Sequence, residues 1–224
     1  MTRPEPLVGT AVRRANLVDV PAVVRLFAPT AAALRLPPVE VAGEGRGQDG
    51  PGVDWEQAQS AMRLMMAHHA LEDGQVWVVE RPDGTFLAAG VWLPPDDGTE
   101  AAHSRLGSLL SRELATDSPE LPEPPEALQA AYPDEPHWKC VLVFAPDDAG
   151  TWDLGLATRL LTPGLHTVDE DGVTAVAITR SADRLAPLQP LGFAGPHEVP
   201  LAPDSCVWLA TRAPKGRPAT AHNA

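Results

Sequence analysis

The residues with the clearest chemical potential form a short turn between an apolar run and an amphipathic segment. The turn, Ala149 to Ala157, contains Gly155 and ends on Ala157, and both are small enough to let a phosphate-bearing ligand approach the backbone. The first N–H groups of a helix lack partners inside the helix, and the helix dipole favours negative charge there. The turn therefore predicts either an anion-binding helix start or an ordinary helix start that contains a glycine.

Two buried strands and one helix should position this turn. Cys140 to Ala145 is a continuous apolar run, which is typical of a strand covered on both faces. Leu154 to Val168 has the apolar spacing of an amphipathic helix, although Pro163 should kink it. Val173 to Thr179 predicts a second buried strand. Because strand, helix and strand follow one another over short connections, the two strands should be parallel and joined by a right-handed crossover.

The preceding part of the chain predicts antiparallel strands. Val76 to Val79 and Phe86 to Leu93 have strand patterns, and Pro82-Asp83-Gly84 between them indicates a hairpin turn. Two further strands are expected from Phe193 onward and from Ser205 to Thr211. Together with the parallel pair, these strands predict an α/β chain with a mixed sheet and helices on both faces.

The first half of the chain also carries helix and loop signals. Asp19 and Asp54 should cap two helices, the first of which should end at Pro29. Residues 37–53 are rich in Gly and Pro and predict a mobile loop. Residues 99–115 have the leucine spacing of another helix.

Length and composition limit the organisation of the chain. Its 224 residues, 44% of them hydrophobic, suffice for one sizeable core, so we expect a single domain over residues 1–211 and a disordered tail over 212–224. No stretch approaches the roughly 20 apolar residues that cross a bilayer. Met1 to Pro6 lack the apolar segment of a secretion signal. We therefore expect a cytoplasmic protein with no membrane partner.

Charge, cysteine usage and missing motifs disfavour several classes of protein. The formal net charge of −13 argues against nucleic acid, because phosphate neutralisation requires clustered Lys and Arg. The same charge would attract a cationic or amine substrate, or would serve solubility alone. Cys140 and Cys206 lie too far apart for a metal-ligand motif, so we expect unreactive thiols and no metal. A hydrolase is disfavoured because the chain lacks a Gly-x-Ser-x-Gly elbow, a His-Glu-x-x-His zinc motif and a Walker loop.

The order of elements and several short motifs resemble the GNAT N-acetyltransferase superfamily. Trp152 to Ala157 is similar to the pyrophosphate loop of that family, Gln/Arg-x-x-Gly-x-Gly/Ala, at its two small positions. The likeness is clear over residues 76–95 and 135–195. Four further motifs follow the family's order: Leu93-Pro94-Pro95, Glu135-Pro136-His137-Trp138, Phe144-Ala145-Pro146 and Leu191-Gly192-Phe193.

This resemblance implies a fold, a co-substrate and a binding mode. The fold would be a mixed, mostly antiparallel central sheet of six to seven strands. Members of the family bind acetyl-CoA in a V-shaped opening between the fourth and fifth strands, where an amine attacks the thioester carbonyl directly. The likeness places the pantetheine arm beside Leu142, Val143 and Phe144. It places the pyrophosphate at the loop and helix start, on Trp152, Leu154, Gly155, Leu156, Ala157 and Thr158.

The chain departs from the family pattern at positions that bear on binding and catalysis. Trp152 replaces the Gln or Arg of the loop. The loop is longer than usual and carries Asp147, Asp148 and Asp153, whose carboxylates would repel a pyrophosphate. Leu188 occupies the position of the tyrosine that commonly protonates the leaving thiolate.

Three residues are candidates for the proton transfers. His137 is an imidazole that precedes the fourth strand and could act as a general base, or it could be a surface histidine at a strand start. Asp147 could serve as a base or be an ordinary loop acid. Ser181, or water, could deliver a proton to the leaving thiolate.

The sequence thus predicts an N-acetyltransferase that transfers an acetyl group from acetyl-CoA to a primary amine of a small molecule or peptide. The alternative is a catalytically decayed protein of the same fold that acts as a binding or regulatory module, and Trp152 and Leu188 favour it. Restoring a tyrosine at Leu188 would separate the two. The acceptor should be selected by residues 29–75 and 96–135, and the last strands could pair in a homodimer.

Overall fold

One seven-stranded sheet organises the computed structural model, which describes residues 9–33, 55–95, 126–146, 151–202 and 205–216. The strand order is β1-β2-β3-β4-β5-β7-β6, and β4 with β5 is the parallel pair. The expected mixed, mostly antiparallel sheet is confirmed. The strands are β1 (Ala11–Arg14), β2 (Gln75–Glu80), β3 (Phe86–Leu93), β4 (His137–Phe144), β5 (Thr174–Thr179), β6 (Ala194–Ala202) and β7 (Ser205–Arg212).

Helices cover both faces of this sheet. On one face, Leu160, Leu161 and Leu165 of the longest helix pack against the apolar side chains of β3 to β5. On the other face, Val23 and Met66 pack against β2 and β3. The helices are α1 (Val20–Ala33), α2 (Trp55–Met65, extended by the π-helical turn Met66–Ala70), α3 (Glu126–Ala130), α4 (Leu154–Asp171) and α5 (Ala182–Leu185, followed by the 3-10 turn Ala186–Leu191).

The beginning of the first helical segment differs from the sequence prediction. Asn16, and not Asp19, is the N-cap, because the Asn16 side chain accepts a hydrogen bond from the Val18 N–H at 2.9 Å. Asp19 completes a capping box by accepting from the Asn16 N–H at 2.9 Å. The prediction that Pro29 ends the helix is also wrong. An interior proline removes one helix hydrogen bond and crowds the carbonyl four residues earlier, but packing of Val23, Val24 and Leu26 stabilises α1, which continues to Ala33.

The helix α4 is continuous despite Pro163 in its interior. It begins after Asp153, whose carboxylate caps it, and ends at Gly172, whose φ of 68° is the left-handed conformation that glycine adopts without strain. Its buried side includes Gly164, on which the indole of Trp92 lies. The helix therefore returns the chain from β4 to β5 as the crossover that the sequence predicts.

Some of the remaining sequence predictions can be compared with the structure, and others fall on residues that it does not describe. The loop at 37–53 and the helix at 99–115 lie outside the described residues. The strand β7 extends to Arg212, which the boundary at 211 assigns to the tail. Arg212 is buried and bonded to Asp169, so this residue belongs to the folded part. The single domain itself stays a prediction.

The edge strand β6 bears on the predicted homodimer. This strand carries Pro196 and Pro200, which have no N–H to donate to an added strand. Prolines at an edge oppose strand addition from a second copy, and pairing of the last strands in a homodimer stays a prediction. In the part of the chain that the structure describes, no helix is long and apolar enough to cross a membrane.

Candidate functional site

The parallel strands β4 and β5 pair over only part of their length. Their partners run from His137 with Thr174 to Val141 with Ile178. The strand β4 continues through residues 142–144, which keep their partners on β3. Because β5 provides no partner beyond Ile178 for these three residues, the strands separate toward their carboxyl ends. We call this opening, with its unpaired β4 backbone edge, the splay.

The side chains that flank the splay pack into the hydrophobic core. Leu142 packs beneath α4, whereas Val143 lies on the opposite face with α1. Phe144, the last residue of β4, is half-buried on the α4 side. The part of the splay that remains available to a ligand is therefore the β4 backbone. Its N–H and C=O groups could pair with the amide groups of an extended ligand.

The start of α4 lies directly after this end of β4 in the chain. The Asp153 carboxylate accepts a hydrogen bond from the Leu156 N–H at 2.8 Å, and the first helix bond joins the Ala157 N–H to the Asp153 carbonyl at 2.9 Å. No helix bond uses the N–H groups of Leu154 and Gly155. The helix start can thus donate two backbone hydrogen bonds to an anion, while its own Asp153 occupies a third donor.

An aromatic cluster connects the end of β4 to the helix that follows β5. Trp152 is 9% exposed, and its Nε1 donates to the carbonyl of Arg184 in α5 at 2.8 Å. The indole meets the ring of Phe144 edge-on, with 4.9 Å between the ring centroids. The guanidinium carbon of Arg184 lies 4.2 Å from the centroid of the same ring. We call this arrangement of Trp152, Phe144 and Arg184 the clasp.

His137 lies at the other end of β4, away from the splay. About 23 Å of strand separates it from Phe144, at roughly 3.3 Å per residue. Its Nδ1 lies 2.8 Å from the Glu135 carbonyl, and its ring lies against Tyr132 with 5.2 Å between centroids. Its Nε2 is buried without a hydrogen-bond partner in the described part of the chain. The structure therefore does not bring His137 together with the splay, and Asp147 lies outside the described residues.

Ser181 lies at the correct end of the sheet for a role in the splay. It is the N-cap residue of α5, directly beyond the carboxyl end of β5, and its side chain makes no capping hydrogen bond. Leu188, in contrast, is fully buried in the core beneath α4. A tyrosine in place of Leu188 would have to displace core side chains, so restoring it tests packing as well as catalysis.

The sequence reasoning missed Arg184. The signal available for it was chemical: Trp152 replaces the Gln or Arg of the loop, and two arginines, Arg180 and Arg184, follow the end of β5 in sequence. Its stacking on Phe144 depends on tertiary contacts across the crossover.

The cysteine of β4 has no features of a nucleophile. Complete burial raises the pKa of Cys140 well above that of a free thiol, so it stays protonated. Across the described ranges, no group of three or more His, Cys, Asp or Glu side chains could hold a metal ion.

Comparison with known proteins adds structural relatives at low identity. No family model matches the sequence. An acetyltransferase crystal structure superposes with a TM-score of 0.57 at 15% identity, covering 92% of this chain and 100% of that one. A structure of histone acetyltransferase HPA2 and related acetyltransferase from Corynebacterium glutamicum gives 0.54 at 17%, covering 94% and 99%. The acetyltransferase yncA from Salmonella typhimurium, solved with its cofactor acetyl-CoA, gives 0.50 at 14%, covering 94% and 97%. The chain therefore adopts the GNAT acetyltransferase fold.

Proposed function

We propose that the protein is an N-acetyltransferase that transfers the acetyl group of acetyl-CoA to a primary amine of a small molecule or peptide. The observation that carries the proposal is the splay, because its unpaired β4 edge over residues 142–144 is followed by the start of α4. An extended ligand with amides at one end and phosphates at the other fits this order. The relative solved with acetyl-CoA supports the same ligand.

The chain's own groups have defined tasks in this proposal. The backbone of Leu142 to Phe144 pairs with the pantetheine amides, and the N–H groups of Leu154 and Gly155 bind the pyrophosphate. The acceptor nitrogen forms a bond to the acetyl carbon while the carbon–sulfur bond breaks. The attacking nitrogen, positively charged once its bond to the acetyl carbon forms, loses a proton to solvent and becomes the amide nitrogen. Ser181, or water, passes a proton to the thiolate, and Ser181 regains its proton from solvent.

Acetyl-CoA and CoA should bind the purified protein with micromolar affinity in a calorimetric titration at moderate salt. Gly155→Glu should abolish binding, because its side chain would block the approach of the pyrophosphate to the backbone and would add a carboxylate at the helix start. Gly216→Glu makes the same charge change where an added Cβ meets nothing within 4 Å, and it should bind like wild type. If neither ligand binds the wild-type protein or Gly216→Glu, the proposal is wrong.

Removing the charge of Asp153 should strengthen acetyl-CoA binding. Asparagine is also a good N-cap, so Asp153→Asn should preserve the helix start while removing one carboxylate near the pyrophosphate. We expect affinity to rise by about fivefold at low salt, equivalent to about 1 kcal/mol for one exposed like charge. The gain should shrink at high salt because exposed charges are screened. Equal affinities of Asp153→Asn and wild type at both salt concentrations would contradict this electrostatic account.

The second candidate is a binding or regulatory module that keeps the fold without catalysis. Two observations favour it: Trp152 is built into the clasp, and the tyrosine position is occupied by the buried Leu188. The candidates differ in one measurement, the release of free CoA thiol in the presence of a panel of amines. Thiol release that depends on the amine supports the transferase, whereas CoA binding without release supports the module.

A further inference from the structure

We propose that Trp152 determines whether the acyl donor can bind: in the free protein its indole closes the splay, and acyl-CoA binds only after the indole leaves the clasp. This inference rests on the proposed function, since it concerns the same site. The sequence pattern shows only that Trp152 replaces a Gln or Arg. The proposal gives Trp152 an active part in ligand access.

The contacts of Trp152 connect the two sides of the splay. On the β4 side its ring contacts Phe144, with centroids 4.9 Å apart and planes at 72°. On the β5 side its Nε1 donates to the Arg184 carbonyl at 2.8 Å. The indole therefore joins the two chain segments that must stay apart for a ligand to lie between them.

The position of Trp152 along the chain places it on the ligand's path. A ligand that pairs with β4 over residues 142–144 must pass the carboxyl end of the splay to reach the N–H groups of Leu154 and Gly155. Trp152 lies two residues before Leu154, and its ring lies against Phe144, the last residue of β4. The extended ligand and the closed indole therefore compete for the same space.

Opening the clasp has a definite cost. It breaks one neutral hydrogen bond and one edge-on aromatic contact, each of which contributes modestly to stability, and it exposes an indole that is 9% exposed and packs in the core with Leu156. The Arg184 guanidinium also stacks on Phe144, so this ring would keep one contact when the indole leaves. Apparent affinity falls in proportion to the fraction of open molecules, and a closed state held by these contacts should weaken donor binding by about ten- to a hundredfold.

The test compares variants of the clasp in calorimetric titrations with CoA and acetyl-CoA. Trp152→Leu keeps an apolar side chain, although a smaller one, that cannot donate to the Arg184 carbonyl. Phe144→Leu removes the aromatic partner from the other side. Trp77→Leu is the matched control, because Trp77 is a half-buried indole on β2 whose Nε1 donates to Gln75 at 3.0 Å, away from the splay. Both clasp variants should bind CoA about ten- to a hundredfold more tightly than wild type, and Trp77→Leu should not.

Fluorine NMR of protein labelled with 5-fluorotryptophan reports the indole directly. The Trp152 resonance, assigned by its loss in Trp152→Leu, should move to a solvent-exposed shift as CoA saturates the wild-type protein. This readout, with Phe144→Leu, decides the question even if Trp152→Leu fails to fold, since Trp152→Phe then provides the assignment.

The possible results distinguish failure of the clasp proposal from failure of the proposed function on which it rests. CoA binding that leaves the Trp152 resonance unchanged, with clasp variants no tighter than wild type, overturns the clasp and leaves the acyl-CoA site standing. Failure of wild type and of both clasp variants to bind CoA or acetyl-CoA overturns the proposed function and the clasp together. Tight binding by the variants, with weaker but measurable binding by wild type, supports both.

Discussion

Replacing Arg212 with methionine should destabilise the protein by about 2–3 kcal/mol, the cost of removing charge-assisted hydrogen bonds from a partly exposed carboxylate and a further bond from a backbone carbonyl. Arg212 is 2% exposed at the end of β7. Its two terminal nitrogens donate to the two carboxylate oxygens of Asp169 in α4, both at 2.8 Å, and its Nε donates to the Leu191 carbonyl at 3.0 Å. Methionine fills the space but leaves the Asp169 carboxylate and the Leu191 carbonyl without these donors.

The effect of Arg212→Met should depend on pH. The hydrogen bonds from Arg212 lower the pKa of Asp169 below its ordinary value. A carboxyl group with a depressed folded-state pKa contributes stability that is fully present above its unfolded pKa and is lost as pH falls through the folded pKa. The difference in unfolding free energy between wild type and Arg212→Met should therefore be largest at neutral pH and should narrow below about pH 4.

Urea unfolding at pH 7 and at pH 3 measures this difference. Arg159→Met is the matched control, because Arg159 is an exposed arginine on α4 whose guanidinium donates to the Thr10 carbonyl at 2.8 Å. That exposed bond should contribute no more than about 1 kcal/mol, with little change between the two pH values. An Arg212→Met variant as stable as Arg159→Met at pH 7 would show that the buried pair contributes little.

The parallel pair at the centre of the site could be predicted because its signals are local. Cys140 to Ala145 is apolar at every position, as strands covered on both faces must be, and the observed β4 extends that run back to His137. The glycine and N-cap at the start of α4 are also local signals. Where propensity misled, as at Pro29, the packing of α1 in the core outweighed the cost of an interior proline, so the helix did not end there.

The clasp could not be predicted, because its members meet only in three dimensions. Phe144 and Arg184 lie on either side of the crossover helix, and Trp152 lies between them in sequence. Residue types showed that the Gln or Arg of the loop was missing, but the place of the tryptophan that replaces it follows from packing between β4 and α5. Arg212 illustrates the same limit of sequence-based prediction. From the sequence alone, an arginine at the end of this strand is assigned to the tail, and only the folded structure shows that it pairs with Asp169.

Placing alanine at Gly164 should destabilise the protein by about 3 kcal/mol, the upper end of the cost of overpacking a core. An added Cβ at this position would lie 2.2 Å from Cε2 and 2.4 Å from Nε1 of Trp92. Trp92 is fully buried, and its indole is rigid, so the clash cannot be relieved by a small rotation of a flexible side chain. Elsewhere in a helix the same substitution would stabilise by up to about 1 kcal/mol, so the sign of the effect is diagnostic.

The matched control is Gly155→Ala in the first turn of the same helix. An added Cβ there meets only the Asp153 carboxylate oxygen at 3.3 Å, which can move slightly toward solvent, so stability should stay within about 0.5 kcal/mol of wild type. Trp92→Phe provides the second test, because it removes Nε1, an atom buried without a partner among the described residues. In urea unfolding, Gly164→Ala should cost less in the Trp92→Phe background than alone, because the smaller ring relieves the overlap. Equal costs in both backgrounds would mean that Gly164 is required for a reason other than the approach of Trp92, and the packing of α4 on β3 would need another explanation.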